Sequence, residues 1–265
     1  MKNLIIGISA LVCLQFAAVV SAERTSFDTN WKFALGDHAG AQAQQFDGAG
    51  WRVLDVPHDW SIEGAYSKDH PMSDKGGYLP AGIGWYRKTI QVPQDWKNKH
   101  VEIAFDGVFM NSTVWANGKK LGTRPYGWSS FSYDISDIVQ SSQSISFAVR
   151  VDNSKQPSAR WYTGSGIYAH TWIDVKHKIH VPVDGVFVRT NGNSVEVDAE
   201  VENTTDQEQS VEFEVAIIDP SGKEVTKKRQ TVELSPGDLK GSSFKLLRRC
   251  VGGSMIRISI GSSPM

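Results

Sequence analysis

Apolar and polar residues alternate with a period of two along most of this chain. Such alternation predicts β-strands with one buried face, because successive side chains of a strand point to opposite sides of the sheet. Clear examples are residues 101–105, 145–151 and 171–175. Only short helical turns are expected, at 40–46 and 137–140. The chain is therefore predicted to be all-β, with its sheets packed as sandwiches.

Turn and composition signals divide the chain into two domains. The first, residues 23–178, holds all nine tryptophans and contains the hairpin dipeptide Asn117-Gly118. The basic run at residues 176–178, followed by Pro182, indicates a linker between the two domains. The valine-rich second series, residues 183–247, alternates like a small immunoglobulin-like sandwich, with four or five strands where about seven are usual. It is predicted to be truncated.

The first 22 residues have the pattern of an export signal. Lys2 is followed by an apolar run at 4–20, and small residues precede a cleavage position after Ala22. A membrane anchor is the alternative, but the run is short and lacks a basic stop sequence. The mature protein is therefore expected to be secreted or periplasmic, without a membrane partner after cleavage.

Charge and motif content exclude several functions. With 28 basic and 29 acidic residues, the net charge of −1 argues against nucleic acid as a partner. Cys13 lies in the leader, which leaves only Cys250 and no internal disulfide. Histidine spacing predicts no metal site, and phosphate-loop, dinucleotide and serine-hydrolase motifs are absent from the sequence. No cofactor is predicted.

One loop has the composition of a carbohydrate contact. Arg160, Trp161 and Tyr162 are adjacent and precede Gly164 and Gly166, which can adopt positive φ. A guanidinium fork beside flat amphipathic rings matches a sugar, which has hydroxyls on its edges and C–H groups on its faces. The alternative is a turn with buried aromatic residues.

A long segment, residues 55–86, has little strand pattern and contains His58, Asp59 and Trp60. Loops of this length are usually functional or disordered, and the tryptophans argue against disorder. His58 and Asp59 could form an acid/base pair, although an Asp that accepts backbone N–H bonds in a turn is the commoner arrangement. Glycoside hydrolysis needs two carboxyl groups across the bond, and no such pair is marked by a motif.

Seven motifs occur in a fixed order, at residues 27–33, 56–60, 84–88, 105–108, 114–118, 126–135 and 160–168. Together they resemble the amino-terminal sugar-binding domain of glycoside hydrolase family 2, in the form found in β-galactosidases. The resemblance implies a jelly-roll sandwich followed by the immunoglobulin-like domain. In the family, a (β/α)₈ barrel with both catalytic glutamates comes next, the ligand is a β-galactoside-type glycan, and the full-length members can form homo-oligomers.

The same resemblance implies the site residues. In the family, the jelly roll sends loops over the sugar pocket of the barrel, so Arg160, Trp161, Tyr162, Asp59 and Trp60 are expected near the sugar. Some relatives carry Asp around the position of Arg160. The resemblance therefore implies that Arg160 lies near the sugar, but it does not imply a particular hydrogen bond to it. No residue of this chain is expected to be catalytic.

Residues 248–265 depart from the segment that closes the second domain in the family. One back-translation of this stretch, read in another frame from Gly253, resembles the expected segment. We therefore predict that residues 248–265 are an out-of-frame tail, and that the second domain lacks its last strands and is marginally stable.

Three functions remain open from sequence. The first is the amino-terminal part of an exported glycosidase, inactive alone because the barrel is absent, with weak sugar affinity at most. The second is a stand-alone carbohydrate-binding module without a catalytic role. The third is a structural or adhesive sandwich without sugar affinity.

Overall fold

The computed structural model describes residues 22–191, 194–247 and 255–262. The chain divides into two compact units, at Lys178 and Ile179. Except for Ala22, the predicted export signal lies outside the described residues. Among the described residues, no helix is both long and apolar enough to cross a membrane.

The first unit consists mainly of strands. The predicted helical turn at 137–140 is present as α1 (Ser136–Ser141), whereas 40–46 forms successive turns. Three 3₁₀ turns occur, at Ser61–Glu63, Asp74–Gly76 and Gln94–Trp96. The strands are β1 (Glu23–Ser26), β2 (Trp31–Leu35), β3 (Arg52–Leu54), β4 (Gly82–Gln91), β5 (His100–Phe105), β6 (Ser112–Ala116), β7 (Lys119–Arg124), β8 (Phe131–Asp134), β9 (Ser144–Asn153) and β10 (Thr171–Lys176).

These strands form two antiparallel sheets that enclose one core, as predicted for a jelly-roll sandwich. One sheet has the order β3-β2-β4-β9-β6-β7 and the other β1-β10-β5-β8. The alternation seen in the sequence is confirmed, because Ile103, Phe105 and Phe147 are fully buried between the sheets. Each such side chain contributes about 1.5–3 kcal/mol by leaving water.

The outer face of the six-stranded sheet is also partly covered. Ala148 points away from the main core, yet it is buried against Ala41 and Trp85. The turns at 40–46 are held there by Arg87, whose guanidinium donates to the backbone carbonyls of Ala41 and Gln44. The alternation in β9 is therefore incomplete, because both faces of this central strand are packed.

The second unit is a smaller immunoglobulin-like sandwich. Its strands are β11 (Ile179–His180), β12 (Val186–Asn191), β13 (Ser194–Asn203), β14 (Gln209–Ile218), β15 (Glu224–Leu234), β16 (Leu239–Leu247) and β17 (Met255–Ser262). One sheet has the order β11-β13-β12, with β16 also paired to β13, and the other has the order β15-β14-β17. The core of this unit contains Val197, Val201, Phe213 and Leu234.

Strand β17 differs from the sequence expectation that strands beyond residue 247 are missing. It pairs antiparallel with β14 from Met255 opposite Ile218 to Ser262 opposite Val211. Residues 255–262 can form a strand because apolar residues alternate along them. Ile256, Ile258 and Ile260 all pack on the core of the second unit. The origin of residues 248–265 in a shifted reading frame stays a prediction.

Candidate carbohydrate-contacting loop

The loop between β9 and β10 carries the predicted sugar-contacting residues. Its second half is fixed to the sandwich by backbone hydrogen bonds, because Gly166 and Phe109 exchange two N–H···O bonds of 2.9 Å each. Asn153, at the end of β9, donates to the carbonyl of Gly164 and to Ser165 Oγ at 3.1 and 2.8 Å. The loop therefore has a rigid base.

The segment that contains Asp59 lies alongside this base. His58 N–H donates to the carbonyl of Ile167 at 2.7 Å, and Trp60 N–H donates to the carbonyl of Ser165 at 3.1 Å. The Ser61 hydroxyl also donates to Ser165 Oγ at 2.7 Å. Two segments about a hundred residues apart in sequence are thus joined along their backbones.

Asp59 connects the fixed base to the exposed part of the loop. Its Oδ1 accepts the N–H groups of Ser61 and Ser165 at 3.0 and 2.8 Å. Its Oδ2 accepts the hydroxyl of Tyr162. Burial, together with this hydrogen bond, raises the pKa of Tyr162, so the phenol stays protonated and keeps donating.

Arg160 and Trp161 extend beyond this anchor into solvent. Trp161 is 63% exposed, and Arg160 is exposed and makes no hydrogen bond or ion pair within the described part of the chain. The predicted alternative of a turn with buried aromatic residues is therefore wrong for Trp161. An exposed indole face and an unpaired guanidinium are available to a ligand.

The two glycines have the backbone conformations predicted for them. Gly164 has φ of 76° and Gly166 has φ of 133°, both in the region that favours glycine. A Cβ on Gly166 would lie 2.4 Å from Tyr86 Oη and 2.5 Å from the carbonyl oxygen of His58. The close approach of the two segments thus requires glycine at this position.

The side chain of Trp60 is buried in the sandwich rather than exposed to solvent. Its side chain is 3% exposed and stacks on Phe33 with ring centroids 5.8 Å apart. A Cβ on Gly84 would lie 2.6 Å from its ring, so β4 leaves room for the indole because it has glycine there. Trp60 is therefore a core residue of the sandwich, and its expected place near the sugar stays a prediction.

His58 and Asp59 do not form a hydrogen-bonded acid/base pair. The carboxylate accepts backbone N–H groups, which is the structural alternative predicted from sequence. His58 Nδ1 lies 2.7 Å from Tyr86 Oη, and its Nε2 lies 3.0 Å from Arg52 Nη2 and 3.3 Å from Glu63 Oε1. Burial lowers the pKa of His58, which favours a neutral imidazole that accepts from Arg52 and donates to Tyr86.

The aromatic support of the loop has no signal in the sequence spacing. Trp128 packs against Phe109 and Tyr168 with centroid distances of 5.1 and 5.6 Å, and Tyr168 Oη donates to the carbonyl of Gly127 at 2.8 Å. The three rings come from three separate loops. Trp128 and Tyr168 belong to motifs of the resemblance and Phe109 does not, so nothing in the sequence indicates that the three rings meet.

We expect Asp59→Ala to release the loop, because two buried N–H groups and the Tyr162 hydroxyl lose their acceptor. The free energy of unfolding should fall by about 2–4 kcal/mol, because a hydrogen bond to a charged group contributes about 1.5–3 kcal/mol and water replaces part of what the three bonds lose at this half-buried site. Asp59→Asn is the matched control, since its amide oxygen can still accept the two backbone bonds. Urea unfolding followed by tryptophan fluorescence measures the stability of both variants. Equal losses of stability in Asp59→Ala and Asp59→Asn would contradict this role of Asp59.

Chemically, the exposed side chains of the loop can contact a ligand. Its exposed groups are an indole, a phenol and a guanidinium. No group of three or more His, Cys, Asp or Glu residues that could hold a metal occurs in the described ranges. The fold and the loop define the first unit as a jelly-roll domain that exposes aromatic and cationic side chains on one loop.

Comparison with known proteins gives the family. Residues 25–177 match the model of the sugar-binding domain of glycosyl hydrolases family 2. The chain belongs to this family. It is 40% identical over 230 residues to a β-galactosidase of Bacteroides ovatus, covering 85% of this chain and 27% of that protein. A putative β-glucuronidase of Formosa agariphila is 37% identical, over 82% of this chain and 22% of that protein.

Solved structures show the same fold. A family 2 glycosyl hydrolase from Bacteroides cellulosilyticus superposes with a TM-score of 0.79 at 32% identity, over 89% of this chain and 33% of that one. A β-glycosidase from Bacteroides vulgatus superposes with a TM-score of 0.74 at 37% identity, over 85% of this chain and 29% of that one. This chain therefore spans about a third or less of the length of these relatives.

Proposed function

We propose that this chain is the amino-terminal, sugar-proximal part of an exported β-galactosidase-like glycosidase of family 2. The observation that carries the proposal is the exposed Arg160 and Trp161 pair on a loop that Asp59 anchors through Tyr162. Its support is the family membership and the 40% identity to a β-galactosidase. The partner proposed is a β-galactoside-type glycan.

The catalytic step is proposed to lie outside these 265 residues. The matched part of the chain is a sugar-binding domain, and the β-galactosidase relative is covered over only 27% of its length. Hydrolysis requires two carboxyl groups about 5–10 Å apart across the glycosidic bond. The carboxylate that contacts this loop, Asp59 of the adjacent segment, is already engaged in hydrogen bonds.

Export is part of the proposal. It rests on Lys2, the apolar run at 4–20 and the small residues that precede Glu23. Cleavage after Ala22 would begin the mature chain at the first residue of β1. The mass of the protein recovered from the culture medium or periplasm tests this directly.

The purified chain is expected to release no product from a chromogenic β-galactoside above the rate of buffer. The reason is that positioning a sugar without a general acid and a nucleophile does not lower the barrier to hydrolysis. A full-length family 2 β-galactosidase is the positive control. Turnover that co-purifies with the chain through two orthogonal columns would contradict the proposal.

A further inference from the structure

A second concave surface of the first unit lies apart from the exposed loop. It is a cleft of about 460 Å³ beside β2, β3 and the turn Ser61–Glu63. This volume falls in the range of about 300–1,000 Å³ that is typical of small-ligand sites. Neither Arg160, Trp161 nor Tyr162 lines it. The lining includes Phe33, Gly50, Trp51, Arg52, Trp60 and Glu63.

One side of the cleft is aromatic. Phe33 and Trp60 stack with an angle of 24° between their rings and are almost fully buried, so they form its base. Trp51 is only partly buried and is held by Phe46 at a centroid distance of 5.4 Å. An aromatic face of this kind packs well against the C–H face of a pyranose ring. The rings are fixed by their neighbours, so little side-chain freedom is lost when a ligand binds.

The polar groups of the cleft sum to zero charge. Arg52 Nη2 contacts Glu63 Oε2 at 2.6 Å, and both side chains are about half exposed. His58, which burial keeps neutral, contacts both residues from the protein side. A balanced ion pair offers N–H donors and carboxylate acceptors to hydroxyl groups, and it gives no net attraction to an anion or a cation.

Trp60 supplies one more donor at this cleft. Its indole N–H is buried and has no hydrogen-bond partner in the described part of the chain. The Cε3–Cζ3 edge of the ring faces Gly84, which does not line the cleft, and Nε1 lies on the opposite edge. A buried N–H without an acceptor is unfavourable, so a ligand hydroxyl that reaches it gains binding free energy.

We propose that this cleft is a second carbohydrate site that holds one neutral hexopyranose ring, independent of the loop at Arg160–Tyr162. One face of the sugar ring contacts the indole of Trp51. The hydroxyl groups contact Arg52, Glu63 and the Trp60 N–H. A glycan that bridges both sites would be held at two points, which raises its apparent affinity above that of either site.

The test uses the full chain labelled with ¹⁵N-tryptophan and titrated with lactose, which presents both a galactosyl and a glucosyl ring. We expect saturable shifts of the Trp51 and Trp60 indole N–H signals. The Trp60 proton should move downfield, because its N–H gains an acceptor. Trp51→Phe and Trp60→Phe assign the two signals.

One glycine allows the cleft to be blocked without strain. A Cβ on Gly50 meets nothing within 4 Å, and its φ is not positive, so Gly50→Phe places a ring in open space at the cleft. We expect this variant to lose the lactose response of Trp60. Gly241→Phe, at an exposed glycine of the second unit, is the matched control and should keep it.

The outcomes separate the two sites. A Trp60 response that survives Trp161→Ala and is lost in Gly50→Phe supports the cleft. If Trp161 alone responds to lactose up to its solubility limit, the cleft proposal is overturned and the loop proposal stands. A Trp60 response unchanged in Gly50→Phe would also overturn the cleft proposal.

Discussion

Gly166→Ala is expected to lower the free energy of unfolding of the first unit by about 3 kcal/mol or more. Two effects add. The backbone has φ of 133°, and the new Cβ would lie 2.4 Å from Tyr86 Oη and 2.5 Å from the His58 carbonyl oxygen. Neither neighbour can move freely, because Tyr86 is fully buried and the His58 carbonyl belongs to the backbone.

A matched variant separates the two effects. Gly40 also has positive φ, of 80°, but a Cβ there meets nothing within 4 Å. Gly40→Ala therefore carries the backbone strain alone and should cost about 1 kcal/mol. Urea unfolding monitored by tryptophan fluorescence reports on the first unit only, because all nine tryptophans lie in it. Equal costs for the two variants would show that the two segments are not in close contact at Gly166.

Glu102→Gln is expected to cost about 3 kcal/mol at neutral pH, because it leaves a buried ammonium without its carboxylate. Glu102 Oε2 accepts from Lys176 Nζ at 2.6 Å, across β5 and β10, and the Lys176 side chain is 8% exposed. Ser132 donates to the other carboxylate oxygen at 3.1 Å. Asp74→Asn is the control, since Asp74 is exposed and should change stability by less than about 0.5 kcal/mol.

The same carboxylate gives the first unit a pH dependence. Burial alone would raise the pKa of Glu102, but hydrogen bonds from His100 and Lys176 outweigh burial and hold the pKa at about 2. The free carboxyl titrates near 4.5, so the folded pKa is the lower one. Its contribution is therefore complete above pH 4.5 and is lost as pH falls toward 2. Glu102→Gln should therefore reduce the change in the free energy of unfolding between pH 4.5 and pH 2. An unchanged pH dependence in this variant would contradict the role given to Glu102.

The sequence predicted the sandwich because strand alternation is a local property. Ile103 and Phe147 are buried at the positions that the period of two requires, and both loop glycines have positive φ as expected. Asp59 was predicted correctly as a structural acceptor, since a turn aspartate bonds to backbone N–H groups close in sequence, here that of Ser61.

Features that depend on distant residues were not predictable in this way. The side chain of Trp60 points inward because β4 has Gly84 at the point of contact. The cleft exists because Arg52, at the start of β3, meets Glu63 in a 3₁₀ turn. Strand β17 depends on a pairing with β14 about forty residues earlier. Such contacts are set by how elements pack and have no signature in residue spacing.

The central proposal is that Trp161 stands at the carbohydrate, whereas Trp31, in the core between the two sheets, does not respond to it. The most direct test is a titration of the ¹⁵N-tryptophan-labelled chain with methyl β-D-galactopyranoside, observed at the indole N–H signals. We expect the Trp161 signal to move in a saturable, weak-binding manner, and the signal of Trp31, which is fully buried, to stay in place. Asp59→Ala should weaken the Trp161 response. A Trp161 signal that does not move at the highest sugar concentration would contradict the claim.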